Sequence, residues 1–458
     1  MQLSQLSQFH ENAAVIAWWQ ARLGLALDWF TPSRRRMILA IGAVWEGAKY
    51  PWKFLSKADE LPVPTDGLGI ALVILAIFAL LWLCYRAAAR FSALPGMVRR
   101  HPQLTLHLFY WGMLAALWVT TPAAGLWRSV LLGVAAIFPY LLWRCGYVLL
   151  AGQYGRMAGT RFSDHLLTLW PAYGGSETPY GKGLVYLSRL EAKTSEELAR
   201  SQLAGIKLLL LCQLLRWVRD LLEGVLYGPG NGLTVALGGF TLAIPQLGEL
   251  VKAGGQAPIA ASWASIYCEF VWQVLKHAIR GHEIIGYLRL FGFNVFRNTY
   301  KPLLAESIVE FWNRYYYYFK ELLVNFFFMP TFAQLGGVLR NRPQLRLFLA
   351  VMAAALFGNM YYHVLQEYDL LLQGDVFQAL YNLRSRMFYC LLLALGIYIS
   401  MVREQRRSMQ AQAPGTARRL LRMAGVWTFF SFIFIWNVRS DAPFLSRVNF
   451  FLGLFGLA

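Results

Sequence analysis

Residues 345–366 read LRLFLAVMAAALFGNMYYHVLQ, an apolar run long enough for a helix that crosses a bilayer, with Asn359 and His363 set into it. The two are four residues apart and so share one helix face. An ionisable group at membrane depth is costly unless it has a partner or a task. This stretch therefore admits only folds that give His363 one or the other. The run starts basic, at Arg340, Arg342 and Arg346, and ends acidic, at Glu367, Asp369 and Asp375.

Composition sets the class. Of 458 residues, 57% are hydrophobic and only 15% charged, too apolar for a soluble chain of this size. The 17 Trp, 23 Tyr and 31 Phe suit interfacial aromatic belts. The expectation is an all-α, polytopic integral membrane protein with roughly 9 to 12 transmembrane helices plus amphipathic interfacial helices. The net charge of +19 does not point to nucleic acid, because the basic residues cluster between apolar spans, as in cytoplasmic loops. The start MQLSQLSQFHENAA has neither a basic flank nor a small-residue cleavage site, so no cleavable signal peptide is expected. Five scattered cysteines (Cys84, Cys145, Cys212, Cys268, Cys390) show no metal-type spacing, and neither a disulfide framework nor a zinc site is expected.

The expected spans are 67–84, 105–119, 130–150, 206–225, 233–247, 259–275, 347–365, 388–402 and 426–436. Residues 37–45 are a tenth span or an interfacial segment, and 450–457 a short terminal half-span. The basic stretches 85–100 and 403–422 and the mildly basic 153–200 are placed in the cytoplasm. The His363 helix then runs outward. Within 153–200, Thr194 is an expected N-cap with Glu196 and Glu197 in the first turn, and the turn-forming PAYGGSETPYGKG does not match P-loop spacing. The whole of 1–458 reads as one membrane domain: N-terminal helices (1–152), a cytoplasmic loop with amphipathic helices (153–202), a core (203–370) and C-terminal helices (371–458). No internal repeat supports an inverted-repeat transporter.

Residues 277–332 are different. They mix Arg280, His282, Glu283, Arg289, Arg297, Lys301, Glu306, Glu310, Arg314, Lys320 and Glu321 with bulky apolar residues, as do interfacial helices or helices lining a polar cavity. Tyr315 to Tyr318 would cover every face of one helical turn, in an interfacial role. His282 and Glu283 read as a structural interhelical bond, and His165 and His277 have no constellation around them.

Within this segment, Ile284, Gly286, Leu288, Gly292 and Phe293 are followed by Asn298 and Pro302. Then come Ala305, Ser307, Ile308, Phe311, Trp312 and Arg314, and His363 stands some tens of residues on. This ordered set resembles the membrane-bound O-acyltransferases, in particular the bacterial branch that includes alginate-acetylation and teichoic-acid D-alanylation proteins. It covers roughly residues 260–370, with an acyltransferase-like core. Two departures mark a divergent member. The branch usually reads Phe-Trp-Arg-Arg-Trp-His, whereas the last four positions here are Asn313, Arg314, Tyr315 and Tyr316. Its Trp-His-Gly is here Tyr362, His363 and Val364.

The resemblance implies transfer of an acyl group from a cytoplasmic thioester, acyl-CoA or acyl carrier protein, to a hydroxyl at or across the membrane of a bacterial cell (the inner membrane). The acceptor would be a polysaccharide, lipid or metabolite. No cofactor beyond the thioester co-substrate is implied; membrane lipids and a periplasmic partner protein are. His363 is the expected base, since imidazole titrates near neutrality. Asn359, Tyr316 and Asn313, in that order, are candidate donors to the oxyanion. Arg314 and Lys320 are expected on donor phosphates, with Trp312 and Tyr315 completing the substrate-contacting set; Phe311 and Trp312 also read as packing residues. Taken without the resemblance, His363 as a base and His363 as an interhelical hydrogen-bonding group both stay open. Two other readings stand beside the enzyme: a transporter or flippase, and a catalytically degenerate scaffold, which Tyr316 in place of the motif histidine favours.

Overall fold

The computed structural model describes residues 8–58, 60–120, 125–170, 175, 177–228, 241–254, 256–408 and 415–457. Among them the secondary structure is helical, with no strand beyond one isolated bridge between Glu191 and Phe293. Helix starts are set by side chains that accept from otherwise orphaned N–H groups. Asn12 caps Ala13–Trp29, Thr31 caps Pro32–Leu55 and Asp66 caps Gly67–Ala89. Thr194 behaves as its sequence context predicts: its hydroxyl accepts from the Glu197 N–H at 3.2 Å, while the Glu197 carboxylate takes the Lys193 N–H at 2.7 Å.

By length and composition, four described helices can cross a membrane: Gly67–Ala89, Ser195–Tyr227, Pro343–Val364 and Arg384–Arg406. A fifth exists if Leu126–Ile137 and Pro139–Gln153 are counted together. The sequence expectation of one straight span over 130–150 is corrected here: the two limbs are bent by 68°. Pro139 opens the second limb, where a residue lacking N–H and with a fixed φ fits a helix start but not a helix interior. Of the other expected spans, 105–119, 259–275 and 426–436 lie in the helices Pro102–Val119, Ile259–Leu290 and Thr416–Phe434, which do not combine sufficient length and apolarity. Residues 37–45 lie inside Pro32–Leu55, and 450–457 overlaps the ten-residue helix Phe444–Gly453. Most of 233–247 falls outside the described residues.

The chain divides into two compact units, each discontinuous in sequence. The first comprises Met1–Lys207, Ile285–Phe296 and His363–Leu380. Its centre is Gly67–Ala89 against the two limbs of the bent pair. A Cβ on Gly152 would lie 2.5 Å from the Ala88 carbonyl oxygen, so only glycine permits that approach. A second close approach joins Gly205 to the Gly286 carbonyl. Gly292, at φ +84°, ends the Ile259–Leu290 helix, and its carbonyl accepts from Ala192 N–H at 2.7 Å. Gly292 thus has a backbone task.

Beside Gly292 lies a buried charge cluster. Arg35, 1% exposed, donates to the carbonyls of Phe30 and Ala192 and pairs with Glu191 at 3.5 Å; Arg36 reaches the other Glu191 oxygen at 2.8 Å. Two guanidinium groups share one buried carboxylate, so its loss would strand charge away from water.

The second unit comprises Leu208–Ile284, Arg297–Tyr362 and Tyr381–Ala458. Its core is aromatic: Phe270 touches Phe311, Phe430 and Phe434, and Phe430 touches Phe311, at 3.8 Å between centroids, and Phe434. Leu347, Val351 and Ala355 pack on Ala394 of Arg384–Ser408. Arg447 clamps the chain end by donating to the carbonyls of Ile435, Val438 and Ser440.

Glu191→Ala is expected to destabilise the protein by about 3 to 5 kcal/mol, the usual cost of stranding a buried charge. It should be read as a lowered apparent Tm of the purified protein.

Candidate functional site

The tyrosine run does not form the continuous helical turn expected from sequence. The helix Ile308–Tyr315 stops, Tyr316 takes φ −143°, ψ 65°, and a new helix runs Tyr317–Leu323. Such a break frees backbone groups, and in apolar surroundings each needs another partner. Residues 298–300 supply them. The Asn298 carbonyl accepts from Tyr317 N–H at 3.0 Å and its side-chain Oδ1 from Tyr318 N–H at 3.1 Å. Thr299 Oγ1 donates to the Tyr315 carbonyl at 3.0 Å, and Tyr300 N–H to that of Arg314 at 2.7 Å. Asn298, Thr299 and Tyr300 thus pin the break, and Tyr316 stands at it.

Around it the second unit assembles an aromatic wall. Tyr315, 4% exposed, stacks on the imidazole of His277 at 4.9 Å and 10°, and half-buried Tyr316 lies 5.1 Å from the same ring. The reading of His277 as isolated is therefore corrected. Its neighbours come from a segment nearly forty residues away, so no local pattern announces them. The only sequence signal was an ionisable residue in a largely apolar helix. Trp312 is buried against Tyr315 and Phe319, and Phe311 is fully buried, in keeping with packing roles.

The other expected residues are placed differently. Asn313 is exposed. It lines a cavity of about 500 Å3 with Glu306, Ser307, Glu310, Glu404 and Arg422. Ser307 caps Ile308–Tyr315 and donates its hydroxyl to Glu404; Glu306 pairs with Arg419 and Arg422. Three carboxylates face one guanidinium in this lining, an unfavourable setting for a phosphate. Arg314 is held by Glu310 at 2.5 Å and by the Lys301 carbonyl at 3.3 Å, and Lys320 by Glu321 at 2.8 Å and the Tyr317 ring. Contact with donor phosphates requires those carboxylates to release them.

The His363 span is not a plain α-helix. Pro343–Val351 passes into a π-helix over Met352–Gly358, then into Asn359–Val364. A second π-helix, Val324–Phe328, packs on the first. A Cβ on Gly358 would lie 2.6 Å from the Phe327 ring, so glycine permits the contact. The wider π-turn shifts the register of the helix, so Asn359 and His363 do not stand where an unbroken α-helix would put them. Asn359, 2% exposed, belongs to the second unit; half-buried His363 opens the last segment of the first.

The remaining polar residues have structural partners. Glu283 pairs with Arg216 across helices at 2.8 Å, and His282 bonds within its own helix to the Ala278 carbonyl. Arg219 pairs with adjacent Asp220. His165 is also corrected: it is buried against Tyr85 with Nε2 3.1 Å from Thr160 Oγ1, and burial pushes its imidazole down to about 4.

Two predictions follow from this geometry. Asn298→Ala, which leaves the Tyr318 N–H without its acceptor, is expected to cost about 1 to 3 kcal/mol in thermal denaturation, and Asn298→Asp much less. Between pH 6.5 and about 4 the unfolded chain takes up a proton at His165 that the folded one refuses. From this group stability should therefore fall over that window by on the order of 3 kcal/mol; His165→Gln should make the slope shallower by that share in a pH series of melts. In comparisons with known proteins, no protein-family model matches this chain and no curated protein matches it in sequence.

Proposed function

We propose that this chain is an integral membrane O-acyltransferase of a bacterial inner membrane. It would take an acyl group from a cytoplasmic thioester, acyl-CoA or acyl carrier protein, and pass it to a hydroxyl at or across the bilayer. The observation that carries this reading is the π-helix Met352–Gly358 set directly before Asn359 and His363 in a candidate span. π-helical turns are energetically poor and cluster at functional sites, and here the π-turn leads straight into the last helical turn of the span, which carries His363. The resemblance of residues 260–370 to the acyltransferase family supplies the reaction class.

In this mechanism the acceptor oxygen attacks the thioester carbonyl while His363 takes the hydroxyl proton. A donor such as Asn359 stabilises the oxyanion. As it collapses, the C–S bond breaks and the imidazolium returns the proton to the leaving thiolate, giving an ester and a free thiol. No acyl-enzyme is formed. A catalytically silent scaffold is the second reading, favoured by Tyr316 at the motif-histidine position.

Purified wild type and His363→Ala, both monodisperse in lauryldimethylamine oxide, should be given acetyl-, octanoyl- and palmitoyl-CoA with dodecanol or dodecyl maltoside as hydroxyl acceptor. Acceptor-stimulated thiol release is expected from wild type, with a loss of about 100-fold or more in the variant. Equal release by both removes His363 from the mechanism, and release by neither favours the scaffold.

A further inference from the structure

The first-unit helix Ala13–Trp29 is apolar on two sides. On the inner side Ile16 and Leu27 pack with Ala192, Leu198, Ala199 and Leu203, and Trp19 Nε1 donates to Gln202 Oε1 at 2.9 Å. The outer side carries Trp18, Arg22, Leu25 and Trp29 at steps of four, three and four residues, which is one stripe of a helix. Trp18 is 54% exposed, Leu25 94% and Trp29 53%, although a surface helix of a protein in water turns such residues inward. Among the described residues neither outer indole N–H has a hydrogen-bond partner, and Arg22 has no carboxylate partner. Arg34 donates to the Trp29 carbonyl at 3.0 Å and lies over the Trp29 ring at 5.1 Å. The exposed Asp28 stands about 100° round the helix from Trp29. The inner-side contacts also fix the level of the helix. They fall on residues 192–203, whereas the apolar run of the candidate span Ser195–Tyr227 begins only at Ile206. Ala13–Trp29 therefore sits at the end of that span, at the depth of the boundary between membrane and water.

We propose that the outer stripe of Ala13–Trp29 docks on anionic phospholipid, in the interface of the leaflet on the side of residues 153–200. Trp18, Leu25 and Trp29 enter the boundary between headgroups and acyl chains. Apolar surface gains burial there, and each indole finds an apolar medium for its ring and a polar partner for its N–H. Arg22 and Arg34 stand with them at headgroup level, where a guanidinium matches a phosphate. A second copy of the chain fits the stripe less well. In a two-fold contact the middle of the stripe meets itself, which would bring the two Arg22 groups together with no acid on the stripe to separate them. The docking needs only the membrane setting and does not depend on acyl transfer.

The test uses the full chain carrying Leu25→Cys, a position so exposed that the change leaves the packing intact. It is labelled there with the fluorophore NBD and reconstituted in vesicles of phosphatidylcholine and phosphatidylglycerol. Unaltered chain taken through the same labelling corrects for the native cysteines. Spin-labelled lipid is expected to quench the label, and aqueous iodide to quench it several-fold less than it quenches free NBD. At equal mole fraction, spin-labelled phosphatidylglycerol should occupy the site about fivefold more than spin-labelled phosphatidylcholine, the preference that one arginine gives at an anionic surface. Adding Arg22→Gln and Arg34→Gln should remove this preference while quenching by lipid persists. Quenching by iodide without quenching by lipid puts the stripe in water and overturns the proposal. Protection from both quenchers puts it against a second copy or another protein and overturns it equally. Equal quenching by the two lipids overturns the choice of an anionic headgroup.

Discussion

Backbone hydrogen bonding in apolar surroundings is the constraint on which the second unit depends. A helix may be interrupted there only where another segment takes over the freed N–H and C=O groups. At Tyr316 the carbonyls of Tyr315 and Arg314 and the N–H groups of Tyr317 and Tyr318 all find partners in residues 298–300. Because these bonds are made, the chain can turn Tyr316 toward His277 while Phe311 stays in the aromatic core. In the first unit a charged group takes this part: Arg35 donates to the Ala192 carbonyl and pairs with Glu191 where the Ile259–Leu290 helix ends at Gly292.

Much of the helical layout was legible in the sequence because apolar length is a strong local signal. Residues 67–84 and 206–225 lie inside Gly67–Ala89 and Ser195–Tyr227, and the cap at Thr194 follows from side-chain chemistry three residues deep. What was not legible is nonlocal or geometric. The bend at Pro139 has a sequence cause, but its angle is set by the helices packed around it. The π-turns before Met329 and Asn359 leave no mark in hydropathy, since the residues in them are as apolar as their neighbours. The tyrosine run misled for a related reason: a helical reading of Tyr315 to Tyr318 is locally sound, and only the distant Asn298 and Thr299 make the break cheaper than continuing.

The candidate site was legible in part. Trp312 and Phe311 are buried as packing residues would be, and Asn359 and His363 share a short helix. Asn313 and Tyr316 were read as donors to the oxyanion, and Arg314 and Lys320 as contacts of the donor phosphates. Side-chain direction separates them: Asn313 lines the carboxylate-rich cavity, and Arg314 and Lys320 are occupied by Glu310 and Glu321. Charge patterning indicated cations without showing which were already neutralised. His277 was passed over because its constellation exists only after the chain has folded back on itself.

The stitched break has a consequence for synthesis. All of its hydrogen-bonding partners lie between residues 298 and 318, at sequence separations of 14 to 20, so the entropy of closing this loop is small. Nothing made later by the ribosome is needed to complete these bonds. The irregular backbone that orients Tyr316 can therefore be fully satisfied while the 384–408 and 416–434 helices are still unmade, and the nascent chain need not hold those polar groups open as the rest of the second unit arrives.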